Sequence, residues 1–149
     1  MSKRINSIWL EDYERLAVKN VEHLIEGKKE LLEVLISDII YNEQVIELFK
    51  AQDREGLKAY LEPFYEKYKK CGIEVMHFIN PDLKSFLRMH NPEKFGDDIS
   101  FRKLLRKVAS TKQMVTVYEA GKFGFALRCV APVMDNGELI GVFECGILL

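Results

Sequence analysis

The stretch Asp135-Asn136-Gly137-Glu138, set between two apolar runs, constrains the fold more than any other part of the chain. Asn-Gly supplies the two left-handed residues of a tight hairpin loop, so residues 125–134 and 139–147 are expected to be adjacent antiparallel strands. With Asn136 and Gly137 as the loop, Asp135 faces Glu138. Counting back sets Cys129 opposite Glu144 and Cys145 opposite Arg128, so the two cysteines point to opposite faces and cannot bridge. All three cysteines, Cys71 included, are expected to be buried small hydrophobes.

The strand pattern extends backwards from the hairpin. Residues 114–119, 85–90 and 73–79 are also strand-like, with turn chemistry at Asn80-Pro81-Asp82 and at Gly121–Gly124. A Pro- and Gly-containing loop over 91–98 leads to a short helix over 101–109, with Ser100 as its expected cap. Upstream of Gly72 the periodicity is helical. Trp9, Tyr13, Leu16, Asn20, His23 or Leu24, Leu31 and Leu35 recur at threes and fours and predict one long amphipathic helix over about 4–40. Two further helices follow, over 43–50 and 53–70, the second capped by Asp53. Five strands in hairpin-rich groups, with no βα alternation, predict an α+β domain: a long N-terminal helix and an antiparallel five-stranded sheet with flanking helices. No linker or internal repeat divides the 149 residues, so one domain is expected, helical over 1–71 and sheet-containing over 72–149.

The composition is that of an ordinary globular protein, 48% hydrophobic and 30% charged. With 22 Lys and Arg against 23 Asp and Glu, the net charge is -1, which argues against nucleic acid as a partner. No run approaches the roughly 18 apolar residues of a membrane span, and the N-terminus lacks a secretory signal.

The residues suited to chemistry cluster on the hairpin over 73–90. With Pro81 to Lys84 as its loop, Asn80 faces Ser85, Ile79 faces Phe86, His77 faces Arg88 and Val75 faces His90. Met76, Phe78, Leu87 and Met89 then form an apolar core face. The other face places Arg88 beside two of the three histidines, a cluster of potential cations that needs an anion: Asp98, Glu119 or a ligand. An arginine fork suits a carboxylate, while a solvated face with an internal Arg–Asp pair accounts for the same residues. Arg128, in an otherwise apolar strand, needs a partner if buried, and Glu119 across the following turn is a natural one. Asp97 and Asp98 sit where carboxylates favour a helix start. No phosphate loop, nucleophile elbow, zinc-ligand pair or CxxC is present, so no enzyme, metal or cofactor is expected. Non-covalent haem on His77 or His90, in a redox or gas sensor, is the alternative.

Residues 85–102, Ser-Phe-Leu-Arg-Met-His-Asn-Pro-Glu-Lys-Phe-Gly-Asp-Asp-Ile-Ser-Phe-Arg, resemble the signature of Cache sensor domains of the double-Cache type, the PAS-like extracytoplasmic modules of bacterial chemoreceptors, sensor kinases and diguanylate cyclases. Residues 118–124, 127–133 and 136–146 resemble that family's later stretches. The resemblance implies a PAS-like fold, a position outside the cytoplasmic membrane between transmembrane helices absent from this chain, and a small-molecule ligand such as a short carboxylate or amino acid. It puts Arg88, His90, Lys94, Asp98, Glu119 and Arg128 on motif positions. With His77 these make the expected binding set, Arg88 being the main anion clamp, His77 and His90 its hydrogen-bond partners, and Arg128 a second clamp or a pocket buttress. The long helix could also pair with a second copy in a homodimer.

Overall fold

The computed structural model describes the backbone of residues 3–121 and 124–149 and the side chains of 9–120 and 124–149. Helix α1 runs over Lys3–Ile40, α2 over Glu43–Lys50, α3 over Arg54–Lys70 and α4 over Lys103–Thr111. The strands are β1 (Ile73–Ile79), β2 (Ser85–Arg88), β3 (Val115–Gly121), β4 (Gly124–Asp135) and β5 (Glu138–Leu148). They form one antiparallel sheet in the order β2-β1-β5-β4-β3. The expected α+β architecture is therefore present. Residues 122 and 123 of the expected Gly121–Gly124 turn lie outside the described residues.

By contacts the chain divides into two units, residues 1–31 and 32–149. The first holds most of α1 and leaves Trp9, Tyr13, Leu16 and Leu24 exposed. In the second, the last turns of α1 bury Leu32, Ile36 and Ile39, one position on from the expected Leu31 and Leu35. Caps set the next two helices. The Asn42 side chain accepts from the Val45 amide and the Asp53 side chain from the Gly56 amide, each filling an orphan donor of a first turn.

One face of the sheet packs against α2 and α3. Phe49 meets Phe78 edge-on at 5.2 Å and Phe78 lies 4.4 Å from Phe143, all three fully buried. Each such ring contributes about 2–3 kcal/mol of transfer free energy. On the opposite face α4 covers only one end, where Leu105 and Val108 pack with Ile79, Leu83, Ile99, Val130 and Val142. The other end of that face stays open and carries the polar residues.

Two register steps correct the strand-by-strand expectation. Between β4 and β5, Asp135 pairs with Glu138 and Met134 with Leu139, but Val133 then pairs with Gly141. Ile140 is the extra residue, so every pair beyond it shifts by one. Cys129 therefore faces Cys145 directly, and both lie buried on the helix-covered side. Between β1 and β2, His77 faces Arg88 as expected, but Ile79 faces Ser85. Phe86 is turned to the helical side, 5.3 Å from Phe49, and Ser85 takes its place beside His77. A bulge reverses the parity on which a face assignment depends. Two local expectations also change. Cys71 caps α3 at the surface and is exposed. Helix α4 begins after Arg102, with no side-chain cap, so Ser100 is not its cap.

Candidate functional site: a polar cavity on the open face

Cross-strand pairing lines up Arg88 (β2), His77 (β1), Glu144 (β5) and Val130 (β4) on one row of the open face. The next row carries Val75, Gly146 and Arg128. The loop between β2 and α4 folds over these rows because it forms a short ladder with the start of β2 and the turn before it. The Ser85 amide donates to the Asp97 carbonyl, the Gly96 amide to the Ser85 carbonyl and the Ile99 amide to the Leu83 carbonyl. On its outer side, Phe95 packs 3.8 Å beneath the Arg54 guanidinium of α3, a cation–π contact that ties the loop to the helical layer. Between loop and sheet lies a cavity of about 390 Å³.

Six of the seven expected site residues line this cavity: His77, Arg88, His90, Lys94, Asp98 and Arg128. Glu119 does not line it. From β3 it accepts from Arg128 Nε at 3.1 Å, the pairing that the strand pattern suggested. Three charged lining residues escaped the sequence reading of the site: Asp97, Arg102 and Glu144. The Glu144 signal was the one applied to Arg128, a lone charge in an apolar strand that needs a partner.

Arg88 already holds an anion. Its two terminal nitrogens donate to both Asp97 oxygens at 2.7 and 2.8 Å, and one also donates to the Lys94 carbonyl at 2.9 Å. The fork thus ties the loop to the sheet from inside, and the Arg88 side chain is only 11% exposed. Hydrogen bonding to Arg88 draws the Asp97 pKa down to about 2. Asp98 instead accepts from the Ser100 amide at 2.9 Å, and the hydroxyl and amide of Ser100 lower its pKa.

Glu144 joins the other two arginines. Its side chain is 2% exposed. Both its oxygens accept from the Arg102 guanidinium, and Oε1 also accepts from Arg128 at 3.4 Å. Arg102, the residue before α4, and Arg128, on β4, are about a quarter and a third exposed at the cavity wall. His77 is buried with Nε2 2.7 Å from Ser85 Oγ. Burial first, then Arg88, His90 and Arg102, pull its pKa down to about 3, so the ring is neutral at physiological pH. The His90 ring lies 6.3 Å away, and burial and Arg88 lower its pKa too.

Among the described residues no cluster of three or more His, Cys, Asp or Glu could hold a metal ion. The arrangement places guanidiniums, carboxylates and neutral imidazoles around a solvent-reachable space, suited to holding a small polar molecule by directed hydrogen bonds. An antiparallel sheet with one helix-covered face and one face holding such a cavity under a loop is the architecture of a PAS-like sensory domain. A family model described as "Double sensory domain of two-component sensor kinase" matches residues 16–149, and the chain belongs to this family. Its fold is that of Cache sensor domains.

Solved structures share the fold at low identity. The sensor domain of the V. cholerae histidine kinase DctB matches with a TM-score of 0.73 at 12% identity, covering 96% of this chain and 57% of that one. The E. coli DcuS sensor domain matches at 0.67 and 14%, covering 83% and 90%. The ligand-binding domain of the Pseudomonas aeruginosa amino acid chemoreceptor PctC, in complex with GABA, matches at 0.59 and 18%, covering 95% and 60%. This chain thus spans little more than half of the DctB and PctC structures. No curated protein sequence matches it.

Proposed function

We propose that residues 1–149 form one extracytoplasmic input domain of a bacterial transmembrane receptor, which binds a small carboxylate-bearing metabolite in the cavity and does no chemistry on it. The observation that carries this reading is the convergence of Arg102 and Arg128, both partly exposed, on a cavity of about 390 Å³. A ligand carboxylate would accept from these two guanidiniums, with Lys94 and His90 as further donors. Arg88, held by Asp97, would shape the site by fixing the loop. If the ligand is an amino acid, as GABA is in the PctC complex, Asp98 offers its ammonium a partner. No helix among the described residues is long and apolar enough to cross a membrane, so the spans would flank this domain in sequence. Ligand bridging loop and sheet would shift the population between two loop positions, and α1 and β5 would carry the shift onward. The haem alternative has no support here, and of its two candidate ligands His77 has Nε2 bonded to Ser85.

A thermal-shift screen of short carboxylates and amino acids on wild type and Arg128→Gln tests this. A ligand at a hundredfold excess over Kd adds about 2.7 kcal/mol of stability, a readily measured rise in Tm. A hit lost in Arg128→Gln is the expected result. Silence across the panel, or a hit unaffected by Arg128→Gln, would overturn the assignment.

A further inference from the structure

The cavity wall carries the cations Arg88, Lys94, Arg102 and Arg128 and the carboxylates Asp97, Asp98 and Glu144, and Glu119 reaches Arg128 from β3. Its charges therefore balance. They are also paired unequally. Asp97 takes both ends of the Arg88 fork at the loop, whereas Glu144 alone serves two arginines from two elements, and Glu119 shares one of them. A carboxylate so deeply buried cannot swing into water when a ligand arrives, so any incoming anion meets guanidiniums that keep their internal partner.

We propose that Glu144 sets the net charge of the ligand this site accepts, with Glu119 reinforcing it at Arg128. The inference rests on the reading of the cavity as the ligand site. With Glu144 in place the cavity favours a molecule carrying a carboxylate and an ammonium together, and it resists a dianion of the same size. Without that negative charge, Arg102 and Arg128 face the cavity with excess positive charge and the order reverses. Coulomb attraction at a separation of several ångströms in a partly solvated site is large enough for a change of roughly tenfold or more.

Succinate and 4-aminobutyrate are suitable probes, because they match in chain length and differ in one end group. Titration calorimetry and thermal shift would be run with both on wild type, Glu144→Gln and Glu119→Gln. Glutamine keeps the shape and one acceptor of Glu144 while removing its charge. The expected result is that Glu144→Gln binds succinate at least about tenfold more tightly than wild type, losing preference for 4-aminobutyrate. Glu119→Gln, at a half-exposed position where folding is not at stake, should move the same way by a smaller factor.

A positioning role alone would instead weaken both probes together. Equal or weaker succinate binding in Glu144→Gln would overturn the proposal. Should that variant not fold, an unchanged succinate affinity in Glu119→Gln would do so. The two readings separate cleanly. A succinate gain in the variant with a silent wild-type screen keeps this inference and removes the proposed ligand class. A wild-type hit without the gain does the reverse.

Discussion

Acid should destabilise this domain chiefly through His77. The residue is 3% exposed, and its pKa is drawn from 6.5 to about 3 by burial and by the neighbouring Arg88, His90 and Arg102. Asp97 opposes the shift, but it is itself committed to Arg88. A group whose folded pKa lies below its unfolded value binds its proton more tightly in the unfolded chain. The associated stability is therefore complete above pH 6.5 and is lost as the pH falls toward 3. Each pH unit inside that window removes about 1.4 kcal/mol. Between about pH 7.5 and about pH 4.5 the loss should reach about 2–3 kcal/mol, a large part of the stability of a domain this size. Most carboxylates stay ionised over that interval, so the effect is readily isolated. Urea unfolding at both pH values, on wild type, His77→Gln and His90→Asn, measures it. His77→Gln should lose about 1 kcal/mol at neutral pH, for the bond to Ser85, and show a nearly flat profile. His90→Asn, altering a ring less buried than that of His77, should keep most of the wild-type drop. If His77→Gln retains the full acid-induced loss, the assignment of a buried, neutral imidazole is wrong.

Other consequences follow at separate positions. Asp97, whose pKa Arg88 lowers from 3.8 to about 2, stabilises the fold above pH 4 and loses that contribution as the pH falls toward 2. Asp97→Asn should therefore flatten the stability profile below pH 4, by about 1 kcal/mol after solvent screening of a one-third-exposed carboxylate, in urea melts near pH 6 and pH 3. Gly141→Ala should be strongly destabilising, by about 2–4 kcal/mol. An added Cβ would lie 2.3 Å from the Phe49 ring and 2.5 Å from the Ile79 carbonyl oxygen, a backbone atom that cannot step aside, and a drop in Tm reads the effect. A thiol reagent should modify Cys71 promptly in the native protein and reach Cys129 and Cys145 only in denaturant. Rapid native labelling of more than one thiol would contradict the paired, buried positions on β4 and β5.

What could be read from the sequence was whatever is decided by neighbours along the chain. The spans of α2 and β1, the Asp53 cap and the Asp135–Glu138 closing pair depend on local propensity, capping and turn chemistry, all carried within a few residues. The charged side of the first hairpin was legible for the same reason, since alternation alone places His77 opposite Arg88. Counting failed where a strand takes an extra residue. The bulges at Ile140 and Phe86 arise from packing, with Phe49 filling the space beside Gly141 and drawing Phe86 to the helical side. The step at Ile140 moved Cys129 opposite Cys145, and the step at Phe86 brought Ser85 to His77. The partners of the arginines were equally out of reach. Arg102 and Glu144 are 42 residues apart, and nothing local distinguishes Asp97 from Asp98 as the anion for Arg88. Charges brought together by the folded sheet and loop choose among partners by distance and burial, so only the tertiary structure could decide which carboxylate each guanidinium holds and which guanidiniums still face the cavity.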